Sequence, residues 1–312
     1  MKIVITGEFP EAAQALIRAS FPPEWDLRIL QPEAVEGELT DADVLIPEHL
    51  AVDAALLEKA PRLKLVQTGA GYDNVDLLAC TRRGVQVCNA AGINADAVAE
   101  HVMAFILCWY KNLLYLDGFM KAGRPAAELA YAGAELSDKT VGLIGLGHVG
   151  QRVAARCRAF GMRVLGWSYR PCDLPGVERC DLDRLLCESD VVSLHIPLNA
   201  DTRHTIDAAA LRKMKPDALL INTSRGGVVS EADLIEALRR GTIGGACLDV
   251  YEEEPLPLGH PLRRLDRVLL TPHTAGLPDG VKFHKKRYAF FVSNIDHVLR
   301  NEPPESRLNT LL

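Results

Sequence analysis

The chain has 312 residues, 48% of them hydrophobic and 24% charged, with 35 Lys and Arg against 41 Asp and Glu for a net charge of -6. That length supports two domains with separate cores; an acidic balance without any Lys or Arg run argues against nucleic acid or an anionic membrane as the main partner. The eight cysteines, at 80, 88, 108, 157, 172, 180, 187 and 247, form no Cys-x-x-Cys pair and no zinc-ligand spacing with His, so they read as small apolar residues of a reduced compartment, and no metal site is expected.

The opening apolar run, in KIVIT at 2–6, is too short for a signal peptide and suits a first buried strand. LRIL, DVLI, LKLVQ and VQVC follow within the first hundred residues, separated by helical segments and Gly or Pro. From Asn94 to Gly123 apolar residues recur at helical spacing, which predicts one long, largely buried connecting helix. Its most apolar part, Val102 to Tyr110, is about half of a bilayer span. A cytoplasmic protein is therefore expected. A second series of short apolar runs begins at TVGLIG and continues through RVLGW, VVSLHI, ALLINT, GACLDV and RVLLTP. The last helix, near DGVKFHKKRYAFFVSNIDHVL, would return the chain to the first domain. This βαβ alternation predicts an α/β protein of two doubly wound parallel-sheet domains, one over 1–98 and 277–312 and the other over 99–276.

GLGHVG supplies Gly145, Gly147 and Gly150 in the G-x-G-x-x-G spacing, after the strand TVGLIG and at the start of a helix that Gly161 stops. In that context the first glycine makes a tight turn, the second lets backbone approach a pyrophosphate and the third lets helix pack on strand. The backbone N–H groups of His148 and Val149 matter more than their side chains. A carboxylate usually ends the next strand, where it accepts hydrogen bonds from the adenosine ribose. Here that place, 18 residues after Gly150, holds Ser168, with Tyr169 and Arg170 behind it. A hydroxyl and a guanidinium suit a 2'-phosphate, so NADP is the expected cofactor. NAD remains the alternative, with Asp173 as ribose partner.

Three further motifs fall at or just after strand ends, where open α/β sheets bind ligands. INTSRGG places Arg225, LDVYEEEP places Asp249 and three glutamates, and LLTPHTAG places His273. Together they read as a reductase site. Arg225 would hold the carboxylate of a 2-oxo acid and polarise its carbonyl, and His273 would give the carbonyl oxygen a proton as hydride arrives. A glutamate beside His273 would raise its pKa and fix its orientation.

With these motifs, and with TGAGYDNVD, NAAGINADAVAEH and PLNADTRHTI, the chain resembles the D-isomer-specific 2-hydroxyacid dehydrogenase family over nearly its whole length. The resemblance implies a Rossmann cofactor domain inserted into a flavodoxin-like substrate domain, and a homodimer formed through the cofactor domain. It implies Arg225, Glu254 and His273 as the catalytic set; Glu254 is the glutamate that directly precedes proline, and Glu252 and Glu253 are then solvated or loop-stabilising. It further implies that the backbone of Ala70 and Gly71 binds the substrate carboxylate. Asp249 and the segment from His273 to Gly276 would surround the nicotinamide, Thr223 and Ser224 would line the cofactor with Arg225, Thr202 would lie near it, and His195 and Pro197 would lie near the adenosine half. Read on its own, His195 is a candidate for a hydrogen-bonded core histidine.

Departures from relatives narrow the substrate. Glu254 stands where formate dehydrogenases of this fold have glutamine, and Ala70 where phosphite dehydrogenase has lysine. Glu48, near the end of the third strand, would repel a substrate phosphate, and no regulatory domain is expected beyond Leu312. The closest pattern is that of NADP-using glyoxylate and hydroxypyruvate reductases, although Tyr169 occupies the place where their Arg often follows the Ser. Residues 49–52 and Tyr72 are expected to choose among 2-oxo acids. The alternatives are phosphoglycerate-dehydrogenase-like oxidation with NAD, and a corepressor-like protein that senses nucleotide.

Overall fold

Short runs rich in Val, Ile and Leu form parallel strands, most of them covered on both faces. The structure is a computed structural model. It describes all residues except 49, 131, 132, 171, 277–279, 311 and 312, and the side chains of 280–283 are left aside.

Two units are distinct: Met1–Asn94 with Leu277–Leu312, and Ala95–Gly276. The first begins with β1 (Lys2–Thr6), α1 (Glu11–Ser20), β2 (Asp26–Leu30), β3 (Val44–Pro47), α2 (Ala54–Glu58), β4 (Leu65–Thr68), α3 (Leu77–Arg82) and β5 (Gln86–Asn89). All pairs are parallel, in the order β2-β1-β3-β4-β5. That is the flavodoxin-like order, with its switch point between β1 and β3. Alternation along β1 sends Val4 to one core with Leu45, Val66 and Val87, and Ile3 and Ile5 to the other with Ile46 and Leu65.

The second unit holds α4 (Ala95–Tyr110), α5 (Leu113–Lys121), β6 (Thr140–Ile144), α6 (His148–Ala159), β7 (Arg163–Trp167), β8 (Glu178–Arg179), α7 (Leu182–Glu188), β9 (Val191–Leu194), α8 (Ala208–Lys213), β10 (Leu219–Asn222), α9 (Glu231–Arg240), β11 (Gly245–Leu248) and β12 (Val268–Leu270). Its parallel sheet runs β12-β11-β10-β9-β6-β7-β8, a Rossmann order with the switch point between β6 and β9. After it, α10 (Gly280–Leu299) belongs to the first unit, where Tyr288, Phe291 and Ile295 pack with Ile3, Ile5 and Phe21.

The expected single helix from 94 to 123 is instead two. Asn112 adopts a left-handed φ of 50°, which ends α4 and turns the chain. Only Phe119 of α5 is buried, and Leu114 and Met120 are 63% and 74% exposed. Two-residue β8 carries no apolar run, so the sequence offers no sign of it.

Candidate active site

Gly145 follows β6 with φ of 104°, and a Cβ there would collide with the carbonyl of His195, which follows β9. A Cβ at Gly150 would strike the Gly145 carbonyl, as helix-on-strand packing requires. Gly147, the N-cap of α6, differs: a Cβ on it would meet nothing within 4 Å. Close packing among the described residues does not require that glycine, whereas a pyrophosphate approaching the N–H groups of His148 and Val149 would. The His148 side chain is exposed. Among the described residues, Thr223 Oγ1 and His195 Nε2 are buried without a partner, the condition that a bound polar group relieves. These residues fit a dinucleotide.

His195 is buried, as the core-histidine alternative has it, but its Nε2 lacks the hydrogen bond that alternative supposes. Its backbone N–H donates to Ile144 O at 2.7 Å, but its ring is unsatisfied at Nε2 and burial pushes its pKa down to about 3, so it stays neutral. Ser168 directly follows β7, and its hydroxyl donates to Arg170 O at 2.7 Å, closing the turn on itself. Arg170 and Asp173 are both exposed. Thr202 is buried, and its Oγ1 donates to Pro197 O at 2.7 Å and accepts from Asn199 N at 2.8 Å, so its hydroxyl shapes that loop.

Beyond β10, buried Asn222 forms the turn that presents Arg225. Its Oδ1 accepts from Ser224 N and Oγ at 3.0 and 2.9 Å, while its Nδ2 donates to Arg225 O at 2.9 Å. Arg225 Nη1 donates to Ser224 O at 2.7 Å. A Cβ on Gly226 would collide with the Tyr251 carbonyl, so the glycine lets this turn touch the loop after β11. On that loop Glu254 accepts from Tyr251 N at 3.0 Å through Oε1 and reaches His273 Nδ1 at 2.6 Å through Oε2. The hydrogen bond to Glu254 raises the His273 pKa, aided by its charge and opposed by burial and by Arg225. Burial alone would raise Glu254, yet its bonds to His273 and the Tyr251 N–H, with the charges of His273 and Arg225, hold it below the usual carboxylate range. The side chains of Arg225, Glu254 and His273 thus share one electrostatic neighbourhood. Glu252 stabilises the loop as expected, through Nε2 of His204 at 2.8 Å and through its own N–H to Glu231 Oε1 at 2.6 Å.

His273 has a left-handed φ of 54°, a conformation that persists only where neighbours enforce it. Asp249 does so. Its carbonyl accepts from His273 N at 2.8 Å, and its carboxylate accepts from Thr271 Oγ1 at 2.5 Å and from the N–H groups of Thr274 and Ala275 at 2.9 Å each. Asp249 is 1% exposed; it straps the segment that ends at Gly276.

In the first unit, Gly69, Ala70 and Gly71 follow β4, with Asn89 Nδ2 donating to Ala70 O at 2.9 Å and Ala90 N to Gly69 O at 2.9 Å. Glu48 is paired with the buried Arg287 of α10. Its charge is compensated, so it gives no ground for excluding a substrate phosphate. His49, expected to help choose the substrate, lies outside the described residues. Sequence reading missed Asn222, Thr271 and Arg287 as shaping residues; Asn222 and Thr271 at strand ends were the available signal.

A Rossmann unit with an open glycine cradle, together with an Arg, Glu and His at adjacent strand ends, marks an oxidoreductase that uses a nicotinamide cofactor. Residues 103–275 match the D-isomer specific 2-hydroxyacid dehydrogenase NAD-binding domain, and the chain belongs to that family. It is similar to the glyoxylate reductase of Korarchaeum cryptofilum (strain OPF8), 37% identical over 327 aligned positions that cover 99% of this chain and 96% of that protein. Among solved structures it is similar to a D-lactate dehydrogenase from Aquifex aeolicus complexed with NAD and lactic acid, at 31% identity, 96% of each chain and a TM-score of 0.88. It is also similar to an acyclic imino acid reductase, Bsp5, in complex with NADPH and D-Arg, at 30% identity, 99% of this chain, 100% of that one and a TM-score of 0.87.

Proposed function

We propose that the protein reduces a small 2-oxo acid of the glyoxylate or hydroxypyruvate kind to the D-2-hydroxy acid. The observation that carries this reading is the His273–Glu254 pair. A carboxylate 2.6 Å from Nδ1 keeps the imidazole protonated to higher pH and leaves Nε2 to give its proton. The nicotinamide supplies the hydride that goes to the carbonyl carbon. His273 delivers the proton to the carbonyl oxygen, Glu254 stabilises the imidazolium before that transfer, and Arg225 binds the substrate carboxylate. Ala70 and Gly71 are assigned to the substrate, and the glycine turn with Thr223, Ser224, His195 and Pro197 to the cofactor.

NADPH is the proposed donor. The end of β7 carries no carboxylate, and the exposed Arg170 is available to a 2'-phosphate. A homodimer through the second unit is proposed from the apolar residues that α5 leaves exposed. The test is an absorbance assay with NADPH and NADH in parallel against glyoxylate, hydroxypyruvate, pyruvate and a bulkier 2-oxo acid, with D-3-phosphoglycerate oxidation as a further arm. Turnover of the small 2-oxo acids, faster with NADPH, is expected. Nucleotide binding without any turnover refutes the reductase reading in favour of a nucleotide sensor, and faster NADH oxidation refutes the cofactor assignment.

A further inference from the structure

His101 lies on α4, whose remaining inward residues are mostly apolar: Val98, Val102, Phe105 and Ile106. Its ring packs edge-on against Phe105, with centroids 4.5 Å apart, and its side chain is only 23% exposed. Nε2 lies 3.1 Å from Thr271 Oγ1 and 3.9 Å from Asp249 Oδ1. Thr271 has one hydroxyl proton, and it goes to Asp249 at 2.5 Å. Oγ1 therefore offers His101 only a lone pair, which assigns the proton to His101 Nε2.

The order of bonds gives this contact a role. His101 donates to Thr271, Thr271 donates to Asp249, and Asp249 accepts from Thr274 N and Ala275 N, with His273 between the anchored positions in its left-handed conformation. Tyr251 adds a bond from its hydroxyl to Thr271 O at 2.8 Å, so the loop bearing Glu254 is tied to the same residue. A side chain that fixes the Thr271 hydroxyl thus acts on the turn that holds His273, while the Glu254 loop meets the same residue at its backbone carbonyl. Packing alone does not call for a ring nitrogen aimed at a hydroxyl.

We propose that His101 is a positioning residue of the reaction: through Thr271 and Asp249 it fixes the turn that aims His273. The inference rests on His273 as the proton donor. A misplacement of about 1 Å at a reacting group costs on the order of a hundredfold in rate. His101→Leu keeps the volume and removes the donor, and should lower kcat for 2-oxo acid reduction by about ten- to a hundredfold while leaving KM for the nicotinamide cofactor within about twofold. His101→Gln, which retains an N–H, should recover part of the loss. Thr271→Val, which also removes the bond to Asp249, should lose at least as much as His101→Leu, and the double variant no more than Thr271→Val alone, because His101 acts through that hydroxyl.

Wild-type turnover without any loss in His101→Leu and Thr271→Val overturns the proposal. So do additive losses, a loss confined to cofactor KM, or no recovery in His101→Gln. If His101→Leu fails to fold, His101→Phe, which keeps an aromatic ring against Phe105 and carries no donor, takes its place. Failure of the underlying reading is distinct: the wild-type protein itself would then turn over no 2-oxo acid.

Discussion

Replacing Glu254 with Gln tests the electrostatics of the site most directly. The variant keeps the shape of the side chain and an oxygen for the Tyr251 N–H, but removes the charge 2.6 Å from His273 Nδ1. Two unit charges about 4 Å apart attract by about 1 kcal/mol in water and about 4 kcal/mol near a protein surface. The His273 and Glu254 side chains are 48% and 33% exposed, which places the pair in the lower part of that range, about 1–2 kcal/mol. Since about 1.4 kcal/mol is tenfold, the imidazolium population above its pKa should fall about five- to thirtyfold. The sign follows from the direction of the shift. Glu254 raises the His273 pKa, and reduction consumes the protonated ring, so the alkaline limb of kcat/KM should move to lower pH in Glu254→Gln. At acid pH the ring is protonated in both proteins and their rates should converge. In the oxidative direction, where the neutral ring accepts the proton, the acid limb should move to lower pH as well. Stopped-flow or steady-state rates across pH measure this. A loss that is the same at every pH, or an alkaline limb that stays in place, refutes the reasoning.

Gly147→Val places side-chain atoms where the chain itself puts nothing within 4 Å, so stability should change by about 1 kcal/mol or less while dinucleotide binding is lost; a melting curve and a tryptophan-quenching titration on the same sample separate the two. Ser168→Asp replaces a hydroxyl at the end of β7 with a carboxylate that would repel a 2'-phosphate, and the ratio of NADPH to NADH turnover should fall by at least about tenfold, one 1.4 kcal/mol step. An unchanged ratio would remove Ser168 from the cofactor assignment. Changing Leu114 and Met120 to Lys on the exposed face of α5 should produce a monomer with its fold intact; sedimentation that still gives a dimer would place the interface elsewhere.

Much of the fold was legible because a parallel sheet covered on both faces demands short strands rich in Val, Ile and Leu, and such runs recur between helical segments. Every strand but β8 announced itself in this way, although β2 carries Asp26 and Arg28. The ends of those strands were legible too, since the sheet gathers its carboxyl ends at one edge, and Arg225, Glu254 and His273 stand just beyond three of them. What stayed hidden was conformational rather than compositional. The apolar period runs on through Asn112 although its left-handed backbone breaks the helix, because periodicity records which residues are apolar and not which dihedral angles join them. The histidines show the same limit more sharply. In the sequence His195 is a candidate core ring and nothing singles out His101, yet one has an unpartnered ring nitrogen and the other a hydroxyl that leads to Asp249. Only the bonds they make separate them. The residues proposed to carry the chemistry are thus ones that sequence position reveals, while their aim is set by side-chain contacts such as those of Asn222, Asp249 and Thr271, which no spacing in the chain encodes.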